Sequence, residues 1–183
     1  MITLAGFDLA TTSGAAFLRG DKIIHAEAFR PKGEGDAAIF HGFREWFRAM
    51  LIAHEVEHVG IEQPLVTDIR ISDKRENAKP GDTHNPVTMK TYLRLYGLRA
   101  HAVEICEAIN VPLVELHQAT WRKAFTGNGR ATKDHTMALA RQLVPGLKSK
   151  DAAEAVGIVW ALAGQLRAAS LVRPNDLFAE KVA

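Results

Sequence analysis

Residues 2–18, ITLAGFDLATTSGAAFL, decide the architecture. Residues 2–9 are apolar up to Asp8 and read as a strand carrying one carboxylate near its end. Gly14 to Leu18 reads as a second strand and Lys22 to Phe29 as a third, with Arg19-Gly20-Asp21 as the turn between them. Three short strands joined by tight turns predict an antiparallel meander. Asp8 is the anomaly in it, because a lone buried carboxylate is costly unless something pairs with it.

Outward from this stretch, residues 36–53 place Ile39, Phe40, Phe43, Phe47, Met50 and Leu51 at spacings of 3 and 4, an amphipathic helix. Val59-Gly60-Ile61 predicts a short buried strand ending at Glu62, and Pro64 prevents its continuation. Residues 65–86 are polar, are broken by Pro80, Gly81 and Pro86, and predict a long loop. Residues 87–109 predict a long helix with two apolar stripes. One runs through Tyr92, Tyr96 and Val103, the other through Leu95, Leu98, Ala102, Ile105 and Ile109. Such a helix is expected to be buried on two sides, either on the sheet and a two-fold mate or between sheet and tail of one chain. Val111 to Leu116 predicts a further strand, followed by helices over 118–125, 132–143 and 150–168, the last N-capped by Ser149. The expected fold is α/β, a mixed sheet flanked by helices, in one domain over 1–168 with a tail at 169–183.

Composition narrows the class. The chain has 183 residues, 47% hydrophobic and 24% charged, which suits one soluble domain with a sizeable core. A single cysteine, Cys106, excludes an intramolecular disulfide and a multi-cysteine zinc site, and fits a reducing compartment. The N-terminus has no signal-peptide pattern, and no apolar run approaches the roughly 20 residues that span a bilayer. Net charge is only +2, but residues 1–64 hold 6 Lys/Arg against 9 Asp/Glu, and residues 65–141 hold 12 against 8. A basic middle beside an acidic beginning suits a carboxylate site that faces a phosphate backbone.

Asp8 and Glu62 each end an apolar strand, and Asp151 and Glu154 lie three apart at a helix start, hence on one face. Each has an ordinary structural alternative: Asp8 capping a turn through Thr11 or Thr12, Glu62 meeting an arginine, Asp151 favouring the helix dipole. Four carboxylates brought together repel one another unless a cation holds them, and oxygen-only ligands point to Mg²⁺ or Mn²⁺ rather than zinc.

GFDLATTSGAAFL (6–18), VGIEQP (59–64) and KDAAEAVGIVWAL (150–162) resemble, in order and spacing, the three active-site motifs of RuvC-type Holliday junction resolvases. TGNGRATKDH (126–135) is similar to the family's glycine- and lysine-bearing stretch before the last motif, so the likeness spans residues 2–165. The resemblance implies an RNase H-like fold, a homodimer and paired phosphodiester hydrolysis in a four-way DNA junction. It implies two Mg²⁺ ions, replaceable by Mn²⁺, on Asp8, Glu62, Asp151 and Glu154, with Lys133 and Arg122 near the scissile phosphate. The expected chemistry is in-line hydrolysis with ions ~4 Å apart, one activating water and one stabilising the leaving oxygen. Arg70, Lys74, Arg75, Lys79, Arg122, Lys123, Arg130 and Lys133 are the candidate DNA contacts. The implied setting is cytoplasmic, at the nucleoid, in a bacterium or its phage, with neither membrane nor nucleotide cofactor. Two departures stand out: Glu154 occupies a position where many members have Asp, and the segment after Glu62 is longer and more charged than usual.

Other signals compete. His54-Glu55-Val56-Glu57-His58 matches the HExxH pattern of zinc peptidases, but it straddles a helix end and runs into a strand. FDLATTSG also resembles the phosphate loop of sugar kinases and actin-like ATPases, which need two such domains; TGNGRATK lacks the GK[ST] ending of a Walker A loop. An RNase H-like nuclease acting on RNA–DNA hybrids or other branched DNA, and a non-catalytic DNA-structure-binding protein, remain alternatives. The tryptophans are expected in the core, with Trp121, beside Arg122 and Lys123, as the aromatic to check for DNA contact.

Overall fold

The computed structural model describes residues 2–64 and 89–171. In chain order they form β1 (Thr3–Asp8), β2 (Ser13–Arg19), β3 (Lys22–Phe29), α1 (Gly35–Ala53), β4 (His58–Glu62) and α2 (Met89–Ala108). Then follow β5 (Leu113–Leu116), α3 (Gln118–Thr126), α4 (Lys133–Leu143) and α5 (Lys150–Leu171). The expected loop 65–86, with Arg70, Lys74, Arg75 and Lys79, lies outside the described residues, as does the tail beyond 171. The last sheet strand starts at Leu113, not Val111. Pro112 has no N–H to give to a ladder, although its carbonyl accepts from Val59 N at 2.9 Å. Ser149 caps α5 as expected, its hydroxyl accepting from Ala152 N at 3.3 Å.

The sheet order is β3-β2-β1-β4-β5. The β1–β2–β3 meander is antiparallel, whereas β4 runs parallel to β1 and β5 parallel to β4. Side chains alternate across the sheet, so each face has its own core. Ala5, Phe7, Ala15 and Phe17 face α1 and α2, packing with Phe43, Phe47, Leu98 and Ala102. Leu4, Ala16 and Leu18 face α5 and pack with Ala152, Ala155, Val159 and Leu162. Asp8 shares the parity of Leu4 and therefore belongs to the α5 face.

That face is crowded. Helix α5 is buried from Ala152 to Val159, because the sheet covers one side while α3 and α4 cover the other. Its backbone comes so close to the sheet that two strand glycines have no room for a side chain. A Cβ on Gly6 would lie 2.5 Å from the carbonyl oxygen of Ala155, and one on Gly14 only 2.0 Å from that of Asp151. Gly14 pairs with Asp8 across the β1–β2 ladder, so the first turn of α5 is seated directly beside Asp8.

Among the described residues, helix α2 is covered along one stripe. Leu98, Ala102, Ile105 and Cys106 are buried, yet Val103 is 38% exposed and Leu93 61% exposed. Tyr92 and Tyr96 are half-buried and pack on each other with ring centroids 4.4 Å apart. Among the described residues, helix α1 and the sheet cover the stripe of α2 through Leu98, Ala102 and Ile105.

Gly14→Ala places a methyl group against backbone atoms that cannot rotate away. Overpacking of this kind costs about 1–3 kcal/mol, or roughly 2–4 °C of Tm per kcal/mol for a domain of this size. Thermal unfolding of the variant should show that loss, and an unchanged Tm would mean that α5 is not seated as described.

Candidate active site

Strand parity and helix seating bring the acids together. Asp8 ends β1 and Glu62 ends β4, its parallel neighbour, one step beyond the registered pair Phe7–Ile61. Gly60, two residues before Glu62, faces Ile158 and Leu162 of α5, so Glu62 lies on the same side of the sheet as Asp8. The ends of adjacent parallel strands are where open α/β sheets place their sites. From above, the first turn of α5 contributes Asp151 and Glu154. One oxygen from each of Asp8, Asp151 and Glu154 lies within 4.8 Å of the others.

The alternatives for Asp8 are met by other groups. Ser13 closes the turn after β1, its hydroxyl donating to Ala10 O at 2.8 Å, and Thr11 accepts from Arg94 at 3.1 Å. Burial raises the Asp8 pKa well above its usual 3.8, and the Glu154, Glu62 and Asp151 charges raise it further against the opposing pull of Lys133. Three oxygen donors at this spacing, with Asp8 among them disfavoured as a free anion, fit a hard divalent cation.

Glu62 stands apart from the triad in its bonding. Trp121 donates its indole N–H to one carboxylate oxygen at 2.8 Å, and the Gln118 amide donates to the other at 3.1 Å. Burial raises the Glu62 pKa; the indole hydrogen bond opposes this and the Glu154 charge adds to it. Trp121 is fully buried, with its ring against Gly157 of α5, where an added Cβ would come within 2.8 Å of it. It is thus not a base-stacking surface. Its role was invisible in the sequence because its partner lies 59 residues away.

Two cations pair with the cluster. Arg122 pairs with Glu154 at 2.5 Å and donates to Ala131 O at 3.2 Å, while its guanidinium lies over the Trp121 ring at 5.1 Å. Its side chain is only 13% exposed and its Nε is buried without a hydrogen-bond partner, so this arginine is a brace for Glu154 rather than a free surface charge. Lys133, at the first position of α4, binds the other oxygen of Glu154 and lies 3.6 Å from Asp151. Burial lowers its pKa, but the Glu154 hydrogen bond and the charges of Asp8, Glu154 and Asp151 outweigh this, and the net shift is upward. Its side chain is still 49% exposed. Lys123 and Arg130 are exposed nearby, on α3 and in the turn before α4.

The HExxH pattern forms no metal site. Helix α1 stops at Ala53, His54 caps it, and His58 has entered β4. His54 stacks instead on Phe17, ring centroids 4.0 Å apart.

No protein-family model and no curated protein sequence matches the chain. Solved structures do. RuvC from Thermus thermophilus superposes with a TM-score of 0.68 at 16% identity, covering 92% of this chain and 97% of RuvC. T. thermophilus RuvC in complex with a Holliday junction substrate gives 0.69 at 14% identity, covering 92% and 96%. The yeast mitochondrial Holliday junction resolvase Ydc2 gives 0.55 at 11% identity, covering 90% and 82%. The fold is therefore the RNase H-like α/β fold of RuvC, as the order of motifs implied.

The raised pKa of Asp8 fixes the sign of a stability effect. An acid whose folded pKa exceeds its unfolded value binds its proton more tightly when folded. Its contribution is most favourable below about pH 4 and is lost as pH rises through the folded pKa. Asp8→Asn should therefore raise Tm in EDTA at pH 8, with the gain shrinking as the pH falls towards 4. A variant less stable than wild type at pH 8 would contradict the repulsive cluster.

Proposed function

We propose that this chain is a divalent-metal-dependent, structure-selective endonuclease that cuts branched DNA, the four-way junction first. The observation carrying this reading is the convergence of Asp8, Asp151 and Glu154 within 4.8 Å at the strand ends of a RuvC fold. Junction DNA is what the T. thermophilus RuvC complex contains.

Asp8, Asp151, Glu154 and Glu62 are the proposed ligands of Mg²⁺ or Mn²⁺. When bound, such ions supply Lewis-acid activation of water and charge neutralisation at the leaving oxygen. The protein's own groups do the rest. The clustered acids define where the scissile phosphate must sit, and the Arg122 brace keeps Glu154 aimed. Lys133, half-exposed at the mouth, is placed to neutralise charge that builds on the phosphate. Exposed Lys123 and Arg130 extend a positive border along which a DNA backbone would run, and Arg70, Lys74, Arg75 and Lys79 are proposed to add to it.

Paired incision needs two such sites. A homodimer formed through the α2 stripe of Tyr92, Tyr96 and Val103 would supply them, since a two-fold interface buries the same stripe on both copies.

Incubation of the protein with a labelled four-way junction, a replication fork, a duplex and an RNA–DNA hybrid tests the reading. Symmetric nicks confined to the junction are expected with Mg²⁺ or Mn²⁺, none with EDTA, and none from Asp8→Asn. Cleavage of the hybrid or fork instead would overturn the substrate. Junction binding without cleavage under any metal would make the chain a binding protein.

A further inference from the structure

Helix α3 supplies no carboxylate, yet it holds two of the four. Gln118 and Trp121 together occupy both oxygens of Glu62, on β4, and Arg122 occupies one oxygen of Glu154, on α5. The three donors sit within about one helical turn, and residues 121 and 122 point to different acids. Two of them are well withdrawn from solvent, Trp121 fully and Arg122 nearly so. The helix is itself fixed. Trp121 is wedged against Gly157 of α5, and Arg122 reaches forward to Ala131 O, just before Lys133 at the start of α4. One short helix thus sets where Glu62, Glu154 and the lysine stand relative to one another.

The geometry points to Trp121 and Gln118 as positioning residues that hold Glu62 in a ligand-ready orientation toward the metal cluster, with α3 as the gauge between Glu62 and Glu154. This rests on the metal-dependent reading above. The physical reason is the reach of a glutamate. Its three rotatable bonds leave a lone carboxylate many rotamers, and Glu62 is not among the acids whose oxygens already converge within 4.8 Å. Two donors, one per oxygen, fix the carboxylate plane and leave its remaining lone pairs free, since a carboxylate offers about four acceptor sites. A buried indole suits this task because it donates but cannot accept, so it cannot exchange roles with the acid. Donors behind a ligand set its orientation, and losing one typically weakens metal binding 10–100-fold.

The test measures Mn²⁺ binding to the whole chain by calorimetry without DNA. Trp121→Phe removes the N–H and keeps an aromatic ring; Gln118→Met removes the amide at a half-exposed position and tests the same point should the core variant fail to fold. Thermal unfolding in EDTA identifies the folded variants. Wild type is expected to bind Mn²⁺, and each folded variant to bind it roughly tenfold more weakly or worse. Wild-type affinity in the folded variants would overturn the positioning role alone. Absence of Mn²⁺ binding by wild type would overturn the metal reading and this inference together.

Discussion

Everything at the candidate site depends on how closely α5 lies on the sheet. Helices rest on side chains, and here the side chains are missing where the approach is tightest. Gly6 and Gly14 present bare backbone to the carbonyls of Ala155 and Asp151. Ala152 and Ala155 keep the helix face equally thin. Because Gly14 is the ladder partner of Asp8, the same contact that packs the core delivers Asp151 and Glu154 to the end of β1. Packing and chemistry are thus one constraint: a side chain at position 14 would disturb both.

The resulting cluster is repulsive by construction. Desolvation and three neighbouring acids oppose the charge on Asp8, and Lys133 offsets only part of that opposition. Such an arrangement detracts from folding stability and acquires a rationale when a divalent cation or a phosphate-bearing partner enters. The buried, unpartnered Nε of Arg122 points the same way, since an orphaned buried donor is itself costly.

Much of this was legible in the chain, for definable reasons. The meander, α1, β4 and the start of α5 follow from periodicity, turn residues and a Ser cap, which are local signals. Asp8 was legible because it breaks an apolar strand, and Asp151 with Glu154 because three-residue spacing on a helix fixes a shared face. What the sequence concealed is long-range. Trp121 looked like a core residue or a DNA platform, and only the fold reveals that its N–H meets Glu62. Arg122 looked like a phosphate contact, and the fold turns it inward to Glu154. The two stripes of α2 implied burial on both sides; a pattern of side chains cannot say whether the second cover belongs to the same chain.

In the proposed function, Asp8, Asp151 and Glu154 form a single cation site because α5 is seated on the sheet glycines. The most direct measurement is anomalous diffraction from a crystal of the protein soaked in Mn²⁺. An anomalous peak is expected in contact with Asp8 and with Asp151 or Glu154, with Lys133 withdrawn from that position. A Mn²⁺-soaked crystal with no peak among these carboxylates, and the Lys133 ammonium still bound to Glu154, would contradict it.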